Sequence, residues 1–316
     1  MKILCIGEAL IDMICTDTGS SLSRGEHFLK KPGGAPSNVA AAIAALGGDV
    51  LLSAKVGADP FGQQLIDTMK DFGVSTDWMV QDKNYFTTFA FVSLMQDGER
   101  DFVFNRGADG QLSEKDLEGI DLDTCSIIHF GSATAFLKGP LQQAYKSLLR
   151  KALGKNIFIS FDPNYRQLLW KNNTDRFIEQ SWYFMKQCHF FKVSDEEAML
   201  ITGTSSVDDA TKILSEKTNA TFAITLGKEG TLLMHQKNKI IVESIPVKSI
   251  DSTGAGDAFV GAILYQLRDY SLQMIQAMSI DEWKNTIANA NKAGARTCEY
   301  RGAMEAFKHL SNQIFD

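Results

Sequence analysis

Short apolar runs alternate with helical patterns along most of this 316-residue chain. The runs predict buried strands at 3–7, 50–56, 127–131, 157–161, 189–193 and 221–226. The segments between them predict helices at 36–47, 61–72, 140–153, 175–186, 195–202 and 208–217. This spacing is typical of parallel β-α-β units with right-handed crossovers. The strands lack a clean inward–outward alternation, so we expect an α/β fold in which helices flank both faces of a mostly parallel central sheet.

Two segments, at about 10–31 and 85–106, interrupt this rhythm and look extended. In the second, the alternating runs 86–92 and 101–104 flank a turn at 97–99, which predicts a β-hairpin. One interpretation is an antiparallel edge of the main sheet. We favour a separate small β-lid, because open α/β sheets bind ligands at the carboxyl ends of their strands and a lid there would exclude water.

The last third of the chain is predicted to be mainly helical after a hairpin at 230–245. The predicted helices span 254–268, 271–278, 281–297 and 302–313. We find no internal repeat and no linker. The two lid segments are insertions, so we predict one domain over 1–316.

Composition excludes several classes of protein. The formal net charge of −6 and the pI of about 5.5 disfavour a broad nucleic-acid surface, which needs basic residues. The odd number of scattered cysteines, with no CxxC, predicts reduced thiols in a cytoplasmic protein. No apolar stretch approaches the ~18–20 residues of a membrane-spanning helix, so no membrane partner is expected.

The most informative segment is Gly254-Ala255-Gly256-Asp257, which opens an apolar helix. The first amides of a helix lack partners within it, and the helix dipole favours an anion there. We therefore expect Asp257 to take a proton from an attacking hydroxyl while the amides stabilise a phosphoryl group. The alternative is an ordinary helix start with an acidic residue in its first turn.

Three segments carry a resemblance to a known family: GGAPSNVA at 33–40, KVGADPFG at 55–62 and DSTGAGD at 251–257. With them the chain resembles the ribokinase or pfkB family of carbohydrate kinases, and within it the fructokinases. The likeness extends from Ile6-Gly7-Glu8 to Gly302-Ala303, nearly the whole chain. There is no GxxxxGK[ST] motif, so a P-loop enzyme is not supported.

The resemblance implies a Rossmann-like ribokinase fold with a β-lid, ATP as phosphoryl donor and Mg²⁺ as its metal. Asp257 would be the base, with Gly254, Ala255 and Gly256 lining its anion hole. Asp251 and Thr253 fall where family members often hold a monovalent cation, which leaves K⁺ open. Asp251 could equally cap nearby amides of a turn.

For the sugar, the resemblance assigns Asp12, Gly33, Gly34 and Asn38, alongside Asp257. A solvated charge at a strand end is the alternative for Asp12. Asn38 could be a polar helix residue, but it lies among apolar neighbours and should have a partner.

Two arginines resemble family positions. Arg106, in the fructokinase-like segment 105–109, could reach the sugar or its developing phosphate, or could be a surface residue at a hairpin end. Arg166, in an Asp-x-Asn-x-Arg sequence at 162–166, suits phosphate because guanidinium binds oxygens bidentately. A structural pair between Arg166 and a carboxylate is its alternative.

The remaining positions concern the nucleotide and its metal. Glu197 is expected to act on Mg²⁺ through water, although Ser194 and Glu197 also form a capping-box sequence. The residues expected to bind nucleotide are Lys192, Thr225, Gly227, Gly230, Gly254, Gly256 and Asn291. The alternatives are a plain hairpin turn at 225–230 and a solvated helix position for Asn291.

We therefore expect a sugar kinase that phosphorylates a ketohexose, with fructose favoured. Ribose, 2-keto-3-deoxygluconate and a riboside remain open as acceptors, as does a non-catalytic sugar- or nucleotide-binding regulator. An NAD-dependent oxidoreductase is disfavoured, because no early GxGxxG is present. A homodimer through the lid is one arrangement that apolar lid residues such as Phe89 and Phe91 would allow.

Overall fold

The computed structural model describes residues 1–95 and 100–315, and the hairpin turn expected at 97–99 lies outside them. Its strands are β1 (Lys2–Ile6), β2 (Leu10–Cys15), β3 (Phe28–Gly33), β4 (Val50–Gly57), β5 (Met79–Asp82), β6 (Phe89–Leu94), β7 (Arg100–Asn105), β8 (Cys125–Phe130), β9 (Phe158–Phe161), β10 (Phe190–Ser194), β11 (Thr221–Thr225), β12 (Thr231–His235) and β13 (Asn238–Val242). Its α-helices are α1 (Ala35–Ala45), α2 (Pro60–Asp71), α3 (Pro140–Leu153), α4 (Gln167–Trp170), α5 (Thr174–Met185), α6 (Asp195–Thr202), α7 (Val207–Lys217), α8 (Ala255–Leu267), α9 (Leu272–Gln276), α10 (Ile280–Thr297) and α11 (Ala303–Phe307).

The main sheet is built mostly from parallel strands. Its order is β13-β12-β11-β10-β9-β8-β1-β4-β5, and every neighbouring pair from β11 to β5 is parallel. Only β12 and β13, at one edge, pair antiparallel. The predicted α/β fold with a mostly parallel central sheet is therefore confirmed.

Each face of the main sheet packs against its own set of helices. In β1, Ile3 and Cys5 belong to a core shared with α1, α8 and α10. Their neighbours Leu4 and Ile6 point the other way, into a core shared with α3, α5 and α7. Helices on both faces explain why β1 is apolar at successive positions.

A second, separate sheet has the order β3-β2-β6-β7. Strands β2 and β6 pair in parallel, and each also pairs antiparallel with the strand that completes its hairpin. The separate small sheet is confirmed over the alternative of an added edge on the main sheet. Its strand β6 begins at Phe89, three residues later than the predicted run.

One face of the small sheet packs on the main body, which changes the role expected for two phenylalanines. Phe89 is buried, its ring contacts those of Phe61 and Phe91, and Phe91 packs against the same core. Phe89 therefore already covers Phe61 on α2, while Phe91 is half-buried beside it. Homodimerisation through the lid stays a prediction.

Three local predictions also differ from the structure. The helix expected at 302–313 is only Ala303–Phe307, followed by a 3-10 turn at Asn312–Phe315. Ser311 precedes the 3-10 turn and Asn312 begins it, and such residues compete for backbone hydrogen bonds. Strand β5 and helix α4 were not predicted, because each has only four residues and β5 mixes apolar with polar side chains.

Two findings bear on the environment of the chain. All five cysteines lie within the described residues and are free thiols. In the part of the chain that the structure describes, no helix has both the length and the apolar character needed to cross a membrane.

Candidate active site

Several polar side chains meet where the parallel strands end. Glu8 follows β1, Asp162 follows β9, and Lys192 lies near the end of β10. The amino ends of α1 and α8 approach the same edge, which brings Asn38 against Asp257. The carboxyl edge of an open α/β sheet is the usual place for a ligand.

The start of α8 is shaped for an anion. Its cap residue Gly254 has φ of +83°, and a side-chain carbon there would lie 2.4 Å from Ala303 Cβ, so only glycine fits. The Ala255 N–H donates to Ser252 O at 3.2 Å. Within the described residues the N–H groups of Gly256 and Asp257 have no acceptor. These two amides, rather than that of Ala255, remain for a ligand.

Asp257 is buried and has one side-chain partner. Asn38 Nδ2 donates to Asp257 Oδ2 at 2.8 Å. Burial raises the pKa of Asp257 to about 6, with help from Asp162, while Asn38, Arg166 and Lys192 oppose the rise. A carboxylate with that pKa is ionised at neutral pH yet basic enough to accept a proton.

Asn38 now has the partner that its apolar surroundings required. Its Oδ1 atom is buried and has no partner among the residues that the structure describes. Asn38 lies in the first turn of α1, and that helix begins directly after Gly33 and Gly34. The free acceptor is thus held beside Asp257, where a ligand hydroxyl could donate to it.

A buried lysine lies beside the anion site. Lys192 Nζ donates to Asp162 Oδ2 at 3.2 Å, and a side-chain carbon at Gly256 would lie 3.2 Å from the same Nζ. Burial opposes the charge on Lys192, but the carboxylates of Asp162, Glu197 and Asp257 outweigh it and raise the pKa of Lys192. A positive charge therefore faces the open amides of α8.

Asp12 approaches from β2 in the small sheet. Burial raises the pKa of Asp12 to about 6, and the nearby Arg166 charge opposes the rise. A side-chain carbon at Gly33 would lie 2.1 Å from Asp12 Oδ2, so the missing side chain of Gly33 makes room for the carboxylate. Asp12 is therefore not the solvated strand-end charge of the alternative interpretation.

Arg166 lies within electrostatic reach of both Asp12 and Asp257. Its side chain is exposed, and Nη1 donates to Tyr165 O at 3.0 Å. No described carboxylate forms a salt bridge with it, so a structural ion pair does not account for Arg166. The guanidinium is therefore available to a ligand near both acidic residues.

Arg106 is held by the protein itself. Its Nη1 donates to Lys138 O at 2.9 Å, Nη2 donates to Thr134 O at 3.1 Å, and Nε approaches Asp109 Oδ2 at 3.5 Å. These contacts join the end of β7 to the loop after β8. They differ from the free surface arginine of the alternative, and the expected contact with sugar stays a prediction.

Glu197 closes a capping box at the start of α6. Its N–H donates to Ser194 Oγ at 3.1 Å, and its Oε2 accepts from Ser194 N at 2.8 Å. Its Oε1 accepts from Tyr165 N at 2.7 Å, which ties the loop after β9 to α6. Both carboxylate oxygens thus already accept hydrogen bonds, and any action on a metal would use their remaining lone pairs or a bridging water.

The described residues contain no cluster of three acidic, histidine or cysteine side chains that could hold a metal. Mg²⁺ usually keeps several waters and is bound through one or two carboxylates together with substrate phosphates. The residues present, with Glu197 nearest to that role, fit a metal that arrives with its nucleotide.

The expected nucleotide residues lie at the ends of β11 and β12. Thr225 ends β11, and Gly227 and Gly230 belong to the turn that leads into β12. Asn291 on α10 is buried; its Oδ1 accepts from Thr231 Oγ1 at 2.7 Å and its Nδ2 donates to Val242 O at 2.9 Å. The solvated-helix alternative for Asn291 is wrong, and its contact with adenine stays a prediction.

Asp251 ties two loops together. Its Oδ1 accepts from Thr253 N at 3.0 Å and from Thr253 Oγ1 at 2.7 Å. Its Oδ2 accepts from Gly302 N at 2.8 Å. The turn-capping role of Asp251 is therefore present. A monovalent cation at this loop would be coordinated by its backbone carbonyl oxygens.

Sequence reasoning gave no role to Glu8, Thr88, Asp109 or Thr134. Glu8 was noted only as the start of the family resemblance, and Asp109 only as part of a motif. All four are buried. The hydroxyls of Thr88 and Thr134 donate to Asp109, and Glu8 accepts from the Ser132 hydroxyl. The available signal was a carboxylate directly after the first buried strand, at the edge where ligands bind.

A parallel sheet whose edge carries a buried carboxylate, open helix amides and a lysine defines a transferase of the small-molecule kinase class. The model of the pfkB family carbohydrate kinases matches residues 1–309. The chain belongs to that family.

Individual proteins agree with this assignment. Probable fructokinase-5 of Arabidopsis thaliana is 36% identical over 308 residues, which cover 96% of this chain and 93% of the relative. A fructokinase of Xylella fastidiosa with bound ATP has a TM-score of 0.86 at 28% identity, covering 99% of this chain and 96% of that one. A fructokinase double mutant of Vibrio cholerae, solved with fructose, ADP and potassium, has a TM-score of 0.84 at 27% identity, with the same coverage.

Proposed function

We propose that this carbohydrate kinase is a fructokinase, which transfers the γ-phosphoryl group of ATP to a hydroxyl of fructose. The observation that carries the proposal is the buried Asp257, held by Asn38 beside the open amides of α8 and the charge of Lys192. The fructokinase names of its relatives support fructose as the acceptor.

Each group has a task in the transfer. Asp257 accepts the proton of the sugar hydroxyl while the hydroxyl oxygen bonds to the γ-phosphorus. The bond between the γ-phosphorus and the oxygen that bridges it to the β-phosphate breaks, which releases ADP. Lys192 and the N–H groups of Gly256 and Asp257 stabilise charge on the moving phosphoryl group. Arg166 adds charge from the exposed side.

The acceptor is held by the polar groups opposite. Asp12 and Asn38 bind sugar hydroxyls, and Gly33 and Gly34 contribute backbone at the same turn. Arg106 acts on the sugar side through the loop that it holds. Several convergent polar groups of this kind fix the orientation of a small ligand.

ATP is the proposed donor, bound along Thr225, Gly227, Gly230 and Asn291. Mg²⁺ would supply charge neutralisation on the phosphates, with Glu197 orienting a water of that metal. We also propose a K⁺ site formed by backbone carbonyls near Asp251 and Thr253. The relative solved with fructose, ADP and potassium supports that choice of ion.

A coupled assay of ADP release tests the substrate. It is run with ATP and Mg²⁺ over fructose, ribose, 2-keto-3-deoxygluconate and a riboside, each with and without K⁺. We expect fructose to give the highest kcat/KM and K⁺ to increase it. No response to fructose beside a strong response to another sugar would contradict the fructokinase proposal.

We further propose that 1–316 acts as one kinase domain in a reducing, cytoplasmic environment, with the small sheet as its lid.

The strand register places Asp12, Ile14 and Leu29 on one face of that sheet. Ile14 and Leu29 are about 40% exposed, and Leu94, which shares their face because Val92 pairs with Ile14, is 60% exposed. A second copy of the chain covering these side chains would form a homodimer through the lid.

A further inference from the structure

A buried carboxylate, Asp109, stands between the small sheet and the main sheet. It is 1% exposed. Its Oδ1 accepts from the Thr88 hydroxyl, and its Oδ2 accepts from Thr134 Oγ1 at 2.8 Å and lies 3.5 Å from Arg106 Nε. Because a buried carboxylate without partners is costly, these donors are held in fixed positions around it.

Thr88 joins three strands at the base of the small sheet. Besides donating to Asp109, its hydroxyl oxygen accepts from Gly107 N at 2.9 Å, just past the end of β7. Its backbone oxygen accepts from Ile11 N at 3.0 Å. Ile11 directly precedes Asp12 on β2, so the position of Thr88 determines the position of Asp12.

Thr134 lies in the loop after β8, on the main-sheet side of Asp109. Its Oγ1 is 3.4 Å from Glu8 Oε2, which also accepts from the Ser132 hydroxyl. The other oxygen of Glu8 accepts from Ala35 N at 3.3 Å, at the first residue of α1. A continuous set of buried polar contacts therefore connects the strand of Asp12 with the helix of Asn38.

We propose that Asp109 is a positioning residue for the acceptor sugar: through Thr88 it holds the β2 strand that carries Asp12 at a fixed distance from the α1 helix that carries Asn38. The inference rests on the proposed function, because it takes Asp12 and Asn38 as sugar ligands. Asp109 touches neither the sugar nor the phosphate in this account. Disturbing Asp109 should therefore weaken the binding of the sugar and change the binding of ATP little.

The test compares Thr88→Val with Thr88→Ser. Valine keeps the shape of threonine but removes the hydroxyl that Asp109 and Gly107 share, whereas serine keeps it. We expect Thr88→Val to raise the KM for fructose about tenfold, the scale of one lost buried hydrogen bond. We expect the KM for ATP to change less than about twofold, and Thr88→Ser to restore the fructose KM.

Asp109→Asn is the second variant, in case Thr88→Val folds poorly. Its amide nitrogen would face donors from Arg106 or Thr134, so the same rise in fructose KM is expected. Circular dichroism and thermal unfolding establish that each variant is folded. A folded Thr88→Val or Asp109→Asn protein with wild-type fructose KM would overturn the inference, even if its stability were lower.

The same experiment separates this inference from the proposed function. If the wild-type protein phosphorylates no sugar, the proposed function fails. Calorimetric titration with fructose then decides the inference: weaker binding to Thr88→Val than to wild type supports it, and equal binding or no binding overturns it. If the wild-type protein phosphorylates fructose and the folded variants keep its KM for fructose, the inference alone fails.

Discussion

The hydrogen bond from Asn38 to Asp257 lowers the pKa of the proposed base, against the larger effect of burial. A bond to the charged form of a carboxylate lowers its pKa, and here it partly offsets the rise to about 6 that burial causes. At saturating fructose we expect kcat to fall as pH drops below about 6. Asn38→Ala should move that midpoint to higher pH. A pH–rate profile checks this, with exposed Asn172→Ala as the control. A midpoint that stays in place or moves down would count against it.

The same residue should make stability depend on pH. Because the pKa of Asp257 is higher in the folded protein than its ordinary 3.8, the fold binds this proton more tightly than the unfolded chain does. Stability from this group is therefore lost as pH rises from about 4 through 6. Asp257→Asn should be stabilising by on the order of 2 kcal/mol at pH 8 and close to neutral at pH 4.

Chemical denaturation of both proteins at the two pH values measures the effect. The amide oxygen of the asparagine can still accept from Asn38, so the hydrogen bond is conserved in the comparison. Equal stability differences at pH 4 and pH 8 would show that the buried carboxylate carries no such cost.

Residue roles could be predicted from sequence only in part. The apolar neighbours of Asn38 required a partner, but that partner lies 219 positions away, and only the fold brings it close. The contacts of Arg106 and Asn291 likewise depend on loops distant in sequence. Local patterns identify a polar residue that needs a partner, not which partner the tertiary structure supplies.

At the scale of the element, two glycines at the start of α8 should separate folding from catalysis. Gly254→Ala places a side chain at φ of +83° and against Ala303, so we expect a loss of about 1–3 kcal/mol in stability. Gly256 is helical, and its added carbon would meet only the end of the Lys192 side chain, with Nζ at 3.2 Å and Cε at 3.7 Å. Gly256→Ala should therefore fold normally but lower kcat.

Thermal unfolding and steady-state kinetics of the two variants make the comparison. The opposite pattern, with Gly256→Ala fully active or Gly254→Ala fully stable, would contradict the anion-site geometry.

Elements with strong local signals were predicted well. Helix α6 has the predicted bounds 195–202, because Ser194 and Glu197 form a capping box at its start. The helix expected at 302–313 ends at Phe307, since its apolar pattern continued past residues that favour turns. Strand β5 has no distinctive pattern in four residues and is specified by pairing with β4.

At the scale of the whole molecule, the separate small sheet followed from where ligands bind in open α/β sheets. The strand order β3-β2-β6-β7 could not be predicted in this way, because β2 and β6 pair in parallel across almost 80 residues of sequence. Long-range pairing of this kind depends on the packing of Phe89 and Phe91 against the main body rather than on local propensity.

The exposed apolar face of the small sheet leads to a prediction about assembly. Leu29→Glu would place a charge in the proposed homodimer contact, so we expect a dimer for the wild-type protein and a monomer for this variant. Leu153→Glu is the matched control, since Leu153 on α3 is exposed to a similar extent, 44% against 42%. Sedimentation velocity measures the mass, and a monomeric wild type at micromolar concentration would contradict the proposal.

The central claim is that Asp257 takes the proton of the acceptor while the start of α8 and Lys192 hold the phosphoryl group. The most direct measurement is kcat for ATP and fructose with Asp257→Asn, alongside fructose affinity by calorimetry. We predict a fall in kcat of about 10²–10⁴-fold with fructose affinity nearly unchanged. A kcat within a few-fold of wild type would contradict the claim.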